Sequence, residues 1–195
     1  ALRILRGQSY VGQWVPSAWS WTFSIQCLAF QVGVPSAYDT ISHTKLLHKL
    51  QHTFNFDINT TSFLTSYFTN RTQTLHTDHA ISNPQLITDG IPQGSTLSTT
   101  FFILYINDIA KPLKHSNIYT YADDTTLIIT APTETLLEKY SQDDLKQLIS
   151  YLHKNNLVPN QTKTTYTTFY PQTHPNIKLS FNSTPLEQEA TTKLL

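Results

Sequence analysis

At 195 residues, 39% of them hydrophobic and 13% charged, the chain is sized for one domain with its own core. No apolar run approaches the ~20 residues of a membrane-spanning helix. No signal peptide is visible behind Arg3 and Arg6, and the single cysteine, Cys27, excludes an internal disulfide. These features favour an intracellular protein, nuclear or cytoplasmic and not secreted; the Asn-x-Thr sequons at Asn59, Asn70, Asn160 and Asn182 arise by chance in so Thr-rich a chain. Thirteen Lys and Arg balance thirteen Asp and Glu, whereas a nucleic-acid binder usually carries a basic excess. With no Met at all, the chain reads as a piece of something longer.

Residues 1–26 hold all three tryptophans and show no sustained period, so they are set apart as an N-terminal segment without assigned structure. CLAFQVGV, residues 27–34, has the length and composition of a buried strand that Pro35 should end. Leu46, Leu47 and Leu50, then Phe63, Leu64, Tyr67 and Phe68, fall at helical spacing and predict short helices over residues 44–51 and 58–68. Thr- and Ile-rich residues 72–81 and 85–89 predict two strands turning at Asn83-Pro84. After the loop Gly90-Ile91-Pro92-Gln93-Gly94, Ser95 or Ser98 can cap a mostly apolar, buried helix running to about Ala110.

Residues 117–121 and 125–130 are β-rich runs meeting at Ala122-Asp123-Asp124, a hairpin with acidic residues at its tip. A long amphipathic helix follows Pro132, with Leu137, Tyr140, Leu145, Leu148 and Leu152 on one stripe and Asn155-Asn156 ending it. Residues 163–170 and 177–181 look like closing strands. This order predicts an α+β fold, an antiparallel sheet with helices packed mainly on one face.

Adjacent carboxylates at a hairpin tip repel one another and disfavour strand. A pair of divalent ions about 4 Å apart, serving phosphoryl transfer, would account for them. A solvated Asp-Asp turn accounts for the dipeptide equally simply. His48 and His52 have helical i, i+4 spacing but lack the Glu of a zinc-protease motif.

Four ordered blocks go further. SAYDTISHTKLLHKL (36–50), DGIPQGSTLSTTFFILYINDI (89–109), YADDTTLII (121–129) and NLVPNQTKTTYTTF (156–169) resemble, in order and spacing, the palm motifs of non-LTR retrotransposon reverse transcriptases. The resemblance covers residues 27–195 and implies a partial polymerase palm, with fingers incomplete and thumb absent. It implies RNA-directed DNA synthesis: Mg²⁺ as cofactor, an RNA template and DNA primer as partners, and dNTP as substrate. Asp123 would then be the principal metal ligand, with Asp124 assisting or shaping the turn. Gln93 and Gly94 would lie near the nascent base pair, Tyr38 would exclude a nucleotide 2′-OH, and Lys163 would donate a proton to pyrophosphate. From the residues alone, Tyr38 reads equally as core and Lys163 as a solvated strand lysine.

One departure outweighs the others. Members of the family carry a metal-bridging Asp four residues before the Ala of the Ala-(Phe/Tyr)-Asp that Ala37-Tyr38-Asp39 matches, six before its last Asp. That position is Gly33 here. Asp39 cannot substitute along a strand, because six residues displace it by roughly 20 Å against metal–oxygen distances near ~2 Å. Pro35-Ser36, Thr99 and the unmatched residues 1–26 are further departures, and a frameshift would account for the last. The sequence therefore predicts an inactive copy of a reverse transcriptase domain. The alternatives are a non-catalytic nucleic-acid-binding remnant and, with little support, a metal-dependent nuclease.

Overall fold

The computed structural model describes residues 26–34, 37–92, 94–121, 124–169 and 177–189. The expectations for residues 1–25, Pro35-Ser36, Gln93, Ala122-Asp123 and Tyr170 therefore lie outside the described residues. In chain order the elements are β1 (Gln26–Gly33), α1 (His43–His52), α2 (Ile58–Phe68), β2 (Thr72–Gln73), β3 (His76–Thr77), β4 (Ala80–Ile81) and β5 (Gln85–Leu86). Then come α3 (Ser98–Ile106), β6 (Ser116–Tyr121), β7 (Asp124–Ala131), α4 (Glu134–Lys154), β8 (Asn160–Phe169), β9 (Ser180–Phe181), β10 (Thr184–Pro185) and β11 (Glu187–Gln188). The fold is α+β with a mainly antiparallel sheet, as expected, and the chain divides into two compact units. Among the described residues no helix is long and apolar enough to cross a membrane.

The first unit, residues 1–33, 112–149 and 159–195, holds a five-stranded sheet in the order β11-β8-β1-β7-β6. All its pairings are antiparallel except β11 with β8. β1 takes the middle because its apolar run can be buried almost continuously: Leu28, Ala29, Phe30 and Val32 are at most 1% exposed. From β7, Leu127 and Ile129 are fully buried, and so are Leu137, Leu145 and Leu148 on the α4 stripe. Asp144 ties α4 to the start of β6. Its carboxylate accepts from the amides of Lys114 (3.0 Å), His115 (2.9 Å) and Ser116 (2.7 Å) and from the Ser116 hydroxyl (2.6 Å). Desolvation pushes this carboxyl upward, but the Ser116 hydroxyl and the three amides outweigh it and hold it below the usual carboxylate range.

The second unit, residues 34–111 and 150–158, packs α1 against α2 and α3. Ile41, Leu46, Leu50, Phe68, Phe102 and Tyr105 form its centre. Lys49 is drawn into this unit: its ammonium donates to the Tyr105 carbonyl (2.6 Å) and to Asp108 (2.7 Å), lying over the rings of Tyr105 and Tyr151. The Tyr151 hydroxyl donates to the same Asp108 oxygen at 2.5 Å. Burial pulls the Lys49 ammonium down, and burial together with the adjacent Asp108 carboxylate pushes the Tyr151 phenol far up. Asn156, at φ 58°, ends α4 as the sequence predicts.

Two local expectations are corrected. The strands predicted over 72–81 and 85–89 form a ribbon that turns at Asp78-His79, with β3 pairing β4 and β2 pairing β5. Thr77 closes that turn, its hydroxyl bonding to the Ala80 carbonyl and accepting from the Ala80 amide, both at 3.1 Å. Asn83-Pro84 instead lies on the return arm, where proline lacks the amide needed to continue the ladder. Nor does Ser95 or Ser98 cap α3: Leu97 is the N-cap without a side-chain bond, and the Ser98 hydroxyl donates to the Pro92 carbonyl, pinning the loop to the helix.

Candidate active site

β6 and β7 pair as an antiparallel hairpin in which Tyr121 pairs with Asp124. Asp124 is the first residue of β7. Its partner on the other side is Gly33, and Gly33 in turn pairs with Asn160 on β8. Tyr121, Asp124, Gly33 and Asn160 therefore form one row across four strands. Directly opposed residues share a sheet face, so position 33 is the cross-strand neighbour of Asp124. Position 33, found by counting along the sequence, is adjacent to the acidic hairpin in space.

Asp124 is the one carboxylate in this row of four residues. Position 33 offers no side-chain oxygen. Asn160 uses its Oδ1 to accept from the Thr162 amide (2.9 Å) and hydroxyl (2.7 Å). Among the described residues, no group of three His, Cys, Asp or Glu side chains could hold a metal ion. Asp123, the expected principal ligand, lies outside the described residues, as does Gln93. Lys163 is exposed and falls where β8 leaves regular register with β1, between the pairs Gly33 with Asn160 and Gln31 with Thr165. It lies on β8, in keeping with the strand expected over residues 163–170, and the extra residues of β8 bulge there. Asn160 is a site neighbour to which the sequence assigns no role, and its Asn-x-x-Lys spacing to Lys163 is the visible signal.

The second unit holds Tyr38 and Gly94. Tyr38 is partly buried, and its ring stacks on Phe102 of α3 with centroids 4.9 Å apart and planes 22° from parallel. Its carbonyl accepts from the Ile91 amide at 2.8 Å, which joins the first and second sequence blocks. Gly90 donates to the Ile41 carbonyl at 2.7 Å and accepts from His43 Nε2 at 2.6 Å. At φ +86°, a Cβ on Gly90 would meet the Asp39 carbonyl oxygen at 2.8 Å. Gly94, at φ +82°, is exposed, and a Cβ there would meet nothing within 4 Å, so another molecule can approach its backbone closely. Asp39 is exposed in the turn beyond β1.

Comparison with known proteins bears on the fold and the family. Among curated proteins no relative matches the sequence. Among solved structures, telomerase from Candida tropicalis in complex with a TWJ fragment of telomeric RNA is similar, at 14% identity, 82% coverage of this chain, 28% of that chain and a TM-score of 0.61. Apo telomerase from Candida tropicalis truncated from its C-terminal domain gives 16% identity, 80% and 33% coverage and a TM-score of 0.57. Telomerase from Candida albicans with a TWJ fragment gives 14%, 80%, 28% and 0.53. This chain thus spans about a third or less of those chains, and at such identity the likeness speaks for the fold, of the polymerase type that the palm motifs imply. The family model for reverse transcriptase (RNA-dependent DNA polymerase) matches residues 26–192, from the first residue of β1 through the hairpin and β8 to beyond β11. The chain belongs to the reverse transcriptase family.

Proposed function

We propose that this chain is the palm part of a non-LTR retrotransposon reverse transcriptase whose two-metal site has been disabled at Gly33. The observation carrying this reading is the pairing of Gly33 with Asp124, which sets a residue without a side-chain oxygen beside the acidic hairpin. The ancestral reaction is attack of a primer 3′-hydroxyl on the α-phosphate of a dNTP, copied from an RNA template, with Mg²⁺ ions held by Asp123, Asp124 and the missing carboxylate. The non-LTR lineage rests on the DGIPQGSTLSTTFFILYINDI and YADDTTLII blocks.

The remaining machinery is consistent with that ancestry. Tyr38 is braced by Phe102 as a ring beside a nucleotide sugar needs to be, and Gly94 keeps its backbone open beside the position of Gln93. Lys163 is exposed and so accessible to a leaving pyrophosphate. Loss of one carboxylate from a two-metal site removes several kcal/mol of transition-state stabilisation, and about 1.36 kcal/mol corresponds to tenfold in rate.

Primer extension on poly(rA)/oligo(dT) with Mg²⁺ tests the proposal, and no extension above background is expected. Robust Mg²⁺-dependent extension that disappears in Asp123→Ala would refute the disabled site. The flanking genomic sequence read in three frames tests the lineage: further retroelement blocks on both sides support it, and an uninterrupted unrelated reading frame contradicts it.

A further inference from the structure

Tyr67, near the end of α2, makes two polar contacts that connect separate parts of the second unit. Its hydroxyl hydrogen-bonds the Ser95 hydroxyl at 3.1 Å, next to the open backbone of Gly94. Its ring lies under the Arg71 guanidinium, with the guanidinium carbon 5.1 Å from the centroid. The ring is itself fixed edge-on against Phe68, with centroids 5.1 Å apart. Arg71 is held at its backbone too, because its carbonyl accepts from the Ile87 amide at 2.8 Å at the root of the β2–β5 ribbon. A long, flexible cation is thereby fixed at both ends beside the Gly94-Ser95 loop.

Among the described residues the only ion pair is Lys49 with Asp108, so no carboxylate there neutralises Arg71. A contact with a ring consumes none of a guanidinium's N–H donors, which can take a phosphate through two parallel hydrogen bonds. Neither the net charge of the chain nor any run of basic residues indicates such a site.

We infer that Arg71, held by Tyr67 beside the Gly94-Ser95 loop, is a phosphate-binding residue. The phosphate belongs to a nucleic-acid backbone or to a nucleotide triphosphate. The inference rests on the reverse transcriptase reading, but it needs no metal and no catalysis.

The test is binding of a labelled RNA–DNA hybrid to the full chain in EDTA from about 50 to about 200 mM salt. A parallel titration uses inorganic tripolyphosphate as the probe. Arg71→Gln is expected to weaken hybrid binding about fivefold at low salt and to reduce the salt slope by about one counterion, with an unchanged melting temperature. Tyr67→Leu should reproduce that loss, and Tyr67→Phe, which keeps the ring, should retain most of the binding. Loss of tripolyphosphate binding alone in Arg71→Gln assigns the residue to the nucleotide. Equal affinity and equal slope in wild type and Arg71→Gln for both probes overturn the inference while leaving the nucleic-acid reading intact. Failure of the wild type to bind either probe overturns it as well, and primer extension then judges the family reading separately.

Discussion

Gly90 and Gly94 have nearly the same backbone angle and opposite surroundings, so the same substitution should separate them. Gly90→Ala places a methyl group against the Asp39 carbonyl in a left-handed conformation and should cost about 3 kcal/mol. Gly94→Ala meets only the conformational penalty, about 1 kcal/mol. Urea midpoints of the two variants measure the difference, and equal losses would contradict the crowding at Gly90. The sequence marked Gly90-Ile91-Pro92-Gln93-Gly94 as a loop, but not which glycine is sterically required, because the obstructing carbonyl comes from Asp39, distant along the chain. Gly33 differs from both. It is paired on two sides inside β1, and the register with β8 shifts between it and Gln31.

At the scale of elements, Asp144 fixes α4 to the start of the β6–β7 hairpin that presents Asp124. Asp144→Asn should destabilise the fold by about 2 kcal/mol near neutral pH, since charge-assisted bonds to three amides and a hydroxyl are weakened. Because the folded-state pKa lies below the unfolded one, this stability is present above about pH 4 and is lost as pH falls through the folded value. Denaturation midpoints across a pH series should therefore converge for wild type and variant in acid; a gap independent of pH would contradict the assignment. The helices were legible because their apolar spacing is local: α2 occupies the residues predicted for it, and the α4 stripe buries Leu137, Leu145, Leu148 and Leu152. The β2–β5 ribbon was misread because Asn83-Pro84 is a strong turn signal in isolation, whereas Thr77 and Ala80 close a turn earlier in the chain. Asp144 was invisible because its partners lie about thirty residues away, in a segment without motif.

For the whole molecule, the order of motifs was readable and their convergence was not. Gly33, Asp124 and Asn160 come from three separate strands, and only the order β8-β1-β7 brings them into one row. Resemblance supplied what periodicity could not, since no local rule pairs residue 33 with residue 124. Net charge pointed away from a nucleic-acid enzyme, whereas the reverse transcriptase family matches residues 26–192: family is written in the order of motifs, which total charge does not register. On the proposed reading, Gly33 occupies the place of a metal-binding carboxylate. Mn²⁺ titration of wild type and Gly33→Asp, followed by electron paramagnetic resonance, addresses it without requiring catalysis. Gly33→Asp is expected to bind Mn²⁺ at least about tenfold more tightly than wild type, with the gain abolished by Asp123→Asn, as a shared carboxylate site requires. Equal Mn²⁺ affinity in wild type and Gly33→Asp would contradict it.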